Sequence, residues 1–229
     1  MKLSKIFSLV LLMVLMGVSA NAATITDYSN SPAFQTAIGG PGTLETFTSN
    51  SHFPISTGVL NSSTNLPSIG ITPGMIQPGV TYSTPVGSSY FFNIDAGGGF
   101  TGGFLDGFYG GDPGRKLTVT FNTPVAGFGF DTNSLMGNTF GITINFSSGS
   151  PYTQSYTVPG SGSSFFGFVS NGAGIESAVI GGQGNPGFAF ALDNFQFGGT
   201  PSAVPIPGAL LLFGPGLVGL AAVRRRFKK

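Results

Sequence analysis

The side chains of this 229-residue chain that could do chemistry are few and scattered. There is one histidine, His52, between Ser51 and Phe53. A Ser-His-Asp relay needs that imidazole oriented by an acid and within reach of a nucleophile. No nucleophile-elbow pattern surrounds it, so His52 reads as a loop histidine. Glu45 and Glu176 are the only glutamates, and a two-carboxylate glycosidase is the hydrolase they could build. Glu176 lies at an alternating position, where a carboxylate simply faces water. Cysteine is absent, which removes thiolates and disulfides and, with a single histidine, leaves no zinc set. Asp95, Asp106 and Asp112 sit in a Gly-rich stretch but miss the spacing of an EF-hand loop, and they read as solvated loop acids. Gly172 and Gly174 read as turn residues, since no strand–GxGxxG–helix context frames them. Without tryptophan, a sugar would find its aromatic platform among Tyr82, Tyr90, Tyr109, Tyr152 and Tyr156, where packing is the competing use. No residue is assigned a catalytic role, and the chain is read as a non-enzyme.

The elements that would position these residues are strands. Lys116–Phe121, Phe140–Phe146 and Tyr152–Val158 alternate with period two, which gives one wet and one buried sheet face. Phe188–Leu192 is apolar on both faces and reads as a fully buried strand. Turn signals at 122–124, 147–151, 159–162 and 181–186 separate the runs, as in an antiparallel sandwich. A short helix is predicted over Ser31–Ile38, with Ser31 as N-cap, Pro32 at the first helical position, and Phe34 and Ile38 on one face. Residues 49–89, rich in Ser, Thr, Pro and Gly, read as long loops with one or two edge strands. Gly97–Phe104 reads as a loop that tucks aromatic rings against the sheet.

Charge is segregated. Lys2 and Lys5 lie at the N-terminus, and Arg224, Arg225, Arg226, Lys228 and Lys229 lie at the C-terminus. Only Arg115 and Lys116 remain between them, with all eight acids, so the body carries about −6 while the chain is +1. A basic footprint for nucleic acid is missing from the body. Residues 1–22 read as a secretory signal peptide, with an apolar stretch from Ile6 to Val18 and cleavage after Ala20-Asn21-Ala22. The chain ends in Val204-Pro205-Ile206-Pro207, an apolar run from Gly208 to Val223, and the arginine cluster. Sixteen helical residues span roughly 24 Å, short of a hydrocarbon core of about 30 Å. Pro215 and four glycines weaken that helix further. Positive charge stays cytoplasmic, so Arg224–Arg226 act as a stop-transfer end with the body outside.

This tripartite tail resembles the PEP-CTERM sorting signal of Gram-negative bacteria, with Ile206 where the family usually has Glu. The resemblance implies an integral-membrane exosortase as processing partner. It also implies passage through the inner membrane, and a place at the cell surface or in an extracellular polysaccharide matrix. In the body, Val125–Asp131, Phe165–Ser170 and Ala191–Gly198 resemble strands of the jelly-roll sandwiches such proteins carry. That likeness implies Asp193, with Asp131 and loop carbonyls, as ligands of a structural Ca²⁺; local hydrogen bonding by Asp193 is the competing role. No other cofactor is implied. The expected organisation is an all-β chain. A signal peptide (1–22) precedes an antiparallel, jelly-roll-like β-sandwich (23–198), a linker (199–203) and a sorting signal (204–229) with a transmembrane helix over 208–223. The expected function is that of an exported, non-enzymatic surface or matrix protein associated with exopolysaccharide. A carbohydrate-binding module is the alternative, and a secreted glycan hydrolase a more distant one.

Overall fold

Alternation of Phe, Ile and Val with small or polar residues builds two antiparallel sheets. The structure is a computed structural model that describes residues 23–202, apart from 48–51, 56–57, 85–91, 101, 109–115, 161 and 183–187. The signal peptide, sorting motif, apolar run and basic end read from the sequence lie outside the described residues. Ala23–Ser202 forms one compact unit. Among the described residues no helix is long and apolar enough to cross a membrane.

The elements run β1 (Ile25–Tyr28), α1 (Ser31–Ala37), β2 (Thr43–Glu45), β3 (His52–Ile55), β4 (Val59–Asn61), β5 (Val80–Ser83), β6 (Phe92–Ala96) and β7 (Gly103–Phe108). They continue with β8 (Leu117–Val125), β9 (Gly127–Thr132), β10 (Thr139–Phe146), β11 (Tyr152–Thr157), β12 (Ser164–Ser170), β13 (Ile175–Gly182) and β14 (Phe188–Gly198). An eight-stranded sheet has the order β1-β12-β9-β14-β7-β6-β3, with β2 also paired to β14. A six-stranded sheet has the order β11-β10-β13-β8-β5-β4. The inward residues of both sheets share one core, in which Phe130 of β9 meets Phe140 of β10 edge to face at 5.8 Å.

Several sequence readings are corrected. Residues 49–89 contain three short strands, and β5 is an interior strand between β8 and β4. His52 opens β3 opposite Ile94 and so lies in a strand, not a loop. Asn122-Thr123-Pro124 is no turn: β8 runs on to Val125, with the irregularity absorbed between its pairings at Thr120 and Val125. The helix is capped one residue earlier than expected, because the Asn30 side chain accepts from Ala33 N at 2.9 Å. Gly97–Phe100 is a loop as expected, whereas Gly103 and Phe104 belong to β7.

The glycines of Gly127-Phe128-Gly129-Phe130 have a packing reason. Phe128 and Phe130 enter the core, while Gly127 and Gly129 open the outer face. With Gly167 of β12 they make a shallow seat for α1, whose Phe34 and Ile38 pack there with Phe165 and Val169. A Cβ on Gly167 would lie 2.8 Å from both Phe165 Cε1 and Phe34 Cδ2. Gly167→Val is therefore expected to lift α1 from the sheet at a cost of roughly 1–3 kcal/mol. A thermal melt checks this, with an expected fall of about 2–4 °C per kcal/mol for a body of this size.

Candidate functional site

Most of the sequence-selected acids of the body fall into three places. The first is a bulge in β14. Asp193 pairs with Asp131 of β9, but Gln196 pairs with Gly129, so β14 carries one extra residue. Asn194 takes the left-handed conformation there, at φ 48°. Its backbone N–H donates to Asp193 Oδ1 at 2.6 Å, and its side-chain amide donates to Asp131 Oδ2 at 2.8 Å. Burial, and secondarily the charges of Asp131 and Glu45, push the Asp193 carboxyl up to about 7 against the pull of the Asn194 N–H. Burial raises Asp131 as well, opposed by the Asn194 amide.

The structure thus brings the two expected calcium ligands together, but the donor set does not fit the ion. Calcium takes six to eight oxygens. Here each carboxylate already accepts from Asn194, and the described residues contain no group of three or more acidic, His or Cys side chains able to hold a metal. Asn194 does the bridging that a cation would do. The thermal midpoint is expected to stay within about 1 °C on exchanging millimolar calcium for EDTA, whereas ligand linkage would raise it with calcium concentration.

The second place is the inner end of β2. Glu45 is 2 % exposed and faces Phe195 in register. Its carboxylate accepts from Phe47 N at 3.0 Å and Gln77 N at 2.6 Å, tying two loops to the sheet. Glu176 is the unpaired residue of a bulge in β13 and is exposed. The two glutamates lie on different sheets, one buried and one in water, and share no substrate face.

The third place is the β6–β7 hairpin. Asp95 is exposed, but Asp106 is 0 % exposed, against the expectation of a solvated loop acid. Asp106 stands opposite Ala191 of β14, on the sheet face where Ala191 and Phe104 pack with Phe100. Asp112 lies outside the described residues. Asn93 Nδ2 donates to Asp106 Oδ1 at 2.8 Å, leaving Asn93 Oδ1 and Asp106 Oδ2 buried without partners. A proton on Asp106 supplies the donor this cross-strand pair lacks. Burial pushes that carboxyl up to about 7, with the Asn93 bond opposing and the Asp95 charge assisting.

Of the tyrosines, Tyr82 is 0 % exposed inside the sandwich and is no sugar platform. Tyr90 and Tyr109 lie outside the described residues. Tyr152 and Tyr156 lie on β11, and Tyr156 stacks on Phe140 at 5.5 Å, so its ring is used in packing. Tyr156 OH donates to Asp27 Oδ2 at 3.0 Å, so in its 3.0 Å contact with Tyr152 the latter donates. This relay joins β11 of one sheet to β1 of the other and closes that edge of the sandwich. Asn194, Asn93 and Asp27 escaped the sequence reading; the Asp-Asn pair at 193–194 was the available signal, since Asn tolerates positive φ.

Asp106 gives a signed pH dependence. Its folded-state pKa lies above its unfolded value of 3.8, so the stability it contributes is whole below about 3.8 and is lost as pH rises through about 7. Asp193 acts in the same sense. Asp106→Asn, which mimics the protonated acid, is expected to leave the thermal midpoint nearly unchanged at about pH 3.5, below the unfolded value. At pH 8 it should raise the midpoint by several degrees, flattening the pH profile of unfolding.

No protein-family model matches the chain, and no curated protein matches it. A solved structure described as "X-ray structure of GH31 CBM32-2 bound to GalNAc" is similar at 11% identity, covering 79% of this chain and 100% of that chain with a TM-score of 0.29.

Proposed function

We propose that this chain is an exported, non-enzymatic surface or matrix protein of a Gram-negative bacterium, whose jelly-roll-like body is delivered by its two termini. The observation that carries the reading is the order of the parts. The compact unit spans Ala23–Ser202, and Val204-Pro205-Ile206-Pro207, an apolar run and three arginines follow it. Residues 1–22 direct export and are cut after Ala22. The run Gly208–Val223 holds the body briefly in the inner membrane, with Arg224–Arg226 cytoplasmic. Pro205 and Pro207 fix φ and remove two backbone donors, which keeps the motif extended for an exosortase-type enzyme. The body then joins extracellular polysaccharide.

Two features of the body support a role without turnover. Its buried acids are committed to structural hydrogen bonds. Its two glutamates stand on different sheets. The test is mass spectrometry of the mature C-terminus from host cells with and without the processing enzyme. The expected product ends near residues 204–207 only when the enzyme is present, and Pro205→Ala with Pro207→Ala leaves the tail attached. A surface-exposed product that keeps residues 208–229 in both strains overturns the sorting reading in favour of a plain anchor.

A further inference from the structure

The bend at 171–174 joins β12 of one sheet to β13 of the other. It opens with Asn171-Gly172, and Asn171 is the one asparagine of the chain that glycine follows. Asn171 is exposed. It also fastens the first strand of the body. Its backbone N–H donates to Thr24 O at 2.9 Å, and its side-chain Nδ2 donates to Thr26 Oγ1 at 2.7 Å. Beside these contacts β1 runs antiparallel to β12, with Ile25 opposite Ser170 and Thr26 opposite Val169.

We infer that Asn171 is a self-modification site, where the chain converts the amide to an aspartyl or isoaspartyl residue at a rate set by the docking of β1. The reaction begins with a ring closure. The Gly172 backbone N attacks Asn171 Cγ, and glycine permits this because no Cβ crowds its nitrogen. The N–Cγ bond forms, the Cγ–Nδ2 bond breaks, and Nδ2 leaves as ammonia with the proton of the Gly172 N–H. Water then opens the five-membered imide. Breaking N–Cγ gives aspartate, and breaking the bond from N to the Asn171 carbonyl carbon gives isoaspartate. Water enters, ammonia leaves, and nothing is oxidised or reduced.

Thr26 guards the site. Turning Cγ onto Gly172 N gives up the Nδ2–Thr26 bond, so docking slows the reaction by the worth of one hydrogen bond, roughly two- to tenfold. A chain whose first strand has not docked lacks that guard, so the modification marks molecules that fold slowly or lose β1. Either product deletes the amide donor to Thr26, and isoaspartate also adds one methylene to the bend between the sheets. β1 is a four-residue edge strand, so its attachment is where the change is felt. Asn30, Asn61 and Asn133 precede serine, and each Oδ1 accepts a backbone N–H two or three residues on. They serve as internal controls.

The test is incubation of the full-length chain in detergent at mildly alkaline pH, followed by peptide mapping with mass detection. Aspartate and isoaspartate separate there as two products of equal mass. Asn171 is expected to convert ahead of Asn30, Asn61 and Asn133, and faster in denaturant than in the folded chain. Thr26→Val, an isosteric change at an exposed position, is expected to speed conversion of the folded chain roughly two- to tenfold and to leave the rate in denaturant unchanged. Near-ultraviolet circular dichroism checks that the variant keeps its fold. Converted wild type is expected to be cut by protease within residues 23–30 faster than unconverted protein. Conversion of Asn171 no faster than the three controls overturns the inference. Equal rates in folded and denatured wild type overturn it as well, as do equal rates in folded wild type and Thr26→Val. A Thr26→Val effect that persists in denaturant also overturns it, since the rate is then set by local sequence and not by β1. Tail processing is read at the other end of the chain, so the sorting proposal stands or falls separately.

Discussion

Asn194 resets the phase of β14, and the core depends on that reset. In a strict strand, side chains three apart point to opposite faces. Leu192 and Phe195 are three apart, yet both enter the same core, with Phe197 following. The extra residue at the bulge makes this possible, and the left-handed backbone at Asn194 is its cost. Phe195 then reaches Tyr82 and Phe121 of the six-stranded sheet at 5.7 and 6.3 Å, and Phe128 and Phe130 of its own sheet at 5.9 and 6.4 Å. One turned residue thus lets a single ring couple both layers.

That coupling matters because the body has little else. It lacks disulfides, and only Arg115 and Lys116 could pair with its acids. Aromatic area and its edge-to-face geometry carry the cohesion. The same economy explains the glycines. Where a Phe points inward on β9, the neighbouring position outward is Gly, so a short helix can lie close enough to bury Phe34 on the far side. A chain this poor in charge builds three apolar layers from sheet, sheet and helix.

Local alternation made β8, β10 and β11 legible from the sequence, the doubly apolar run Phe188–Leu192 marked the start of β14, and Pro32, Phe34 and Ile38 made the helix legible. The misses have separate physical causes. Asp106 occupies an outward position, where a carboxylate reads as solvated, but Phe100 and Leu135 pack on that face of the sheet and the acid is sealed. Residues 49–89 show weak alternation because β3, β4 and β5 have three or four residues each, too few for a period to emerge. Asp131 and Asp193 were legible as a pair, but their link runs through Asn194, whose role depends on a backbone conformation and not on residue type alone.

The two outer faces that result differ in composition. Filling the outside of one sheet with a helix and a loop uses the apolar residues that alternation throws outward there: Phe165, Val169 and Ala191. The other sheet throws outward threonine, serine and asparagine, which need no cover, and its threonines keep β-propensity.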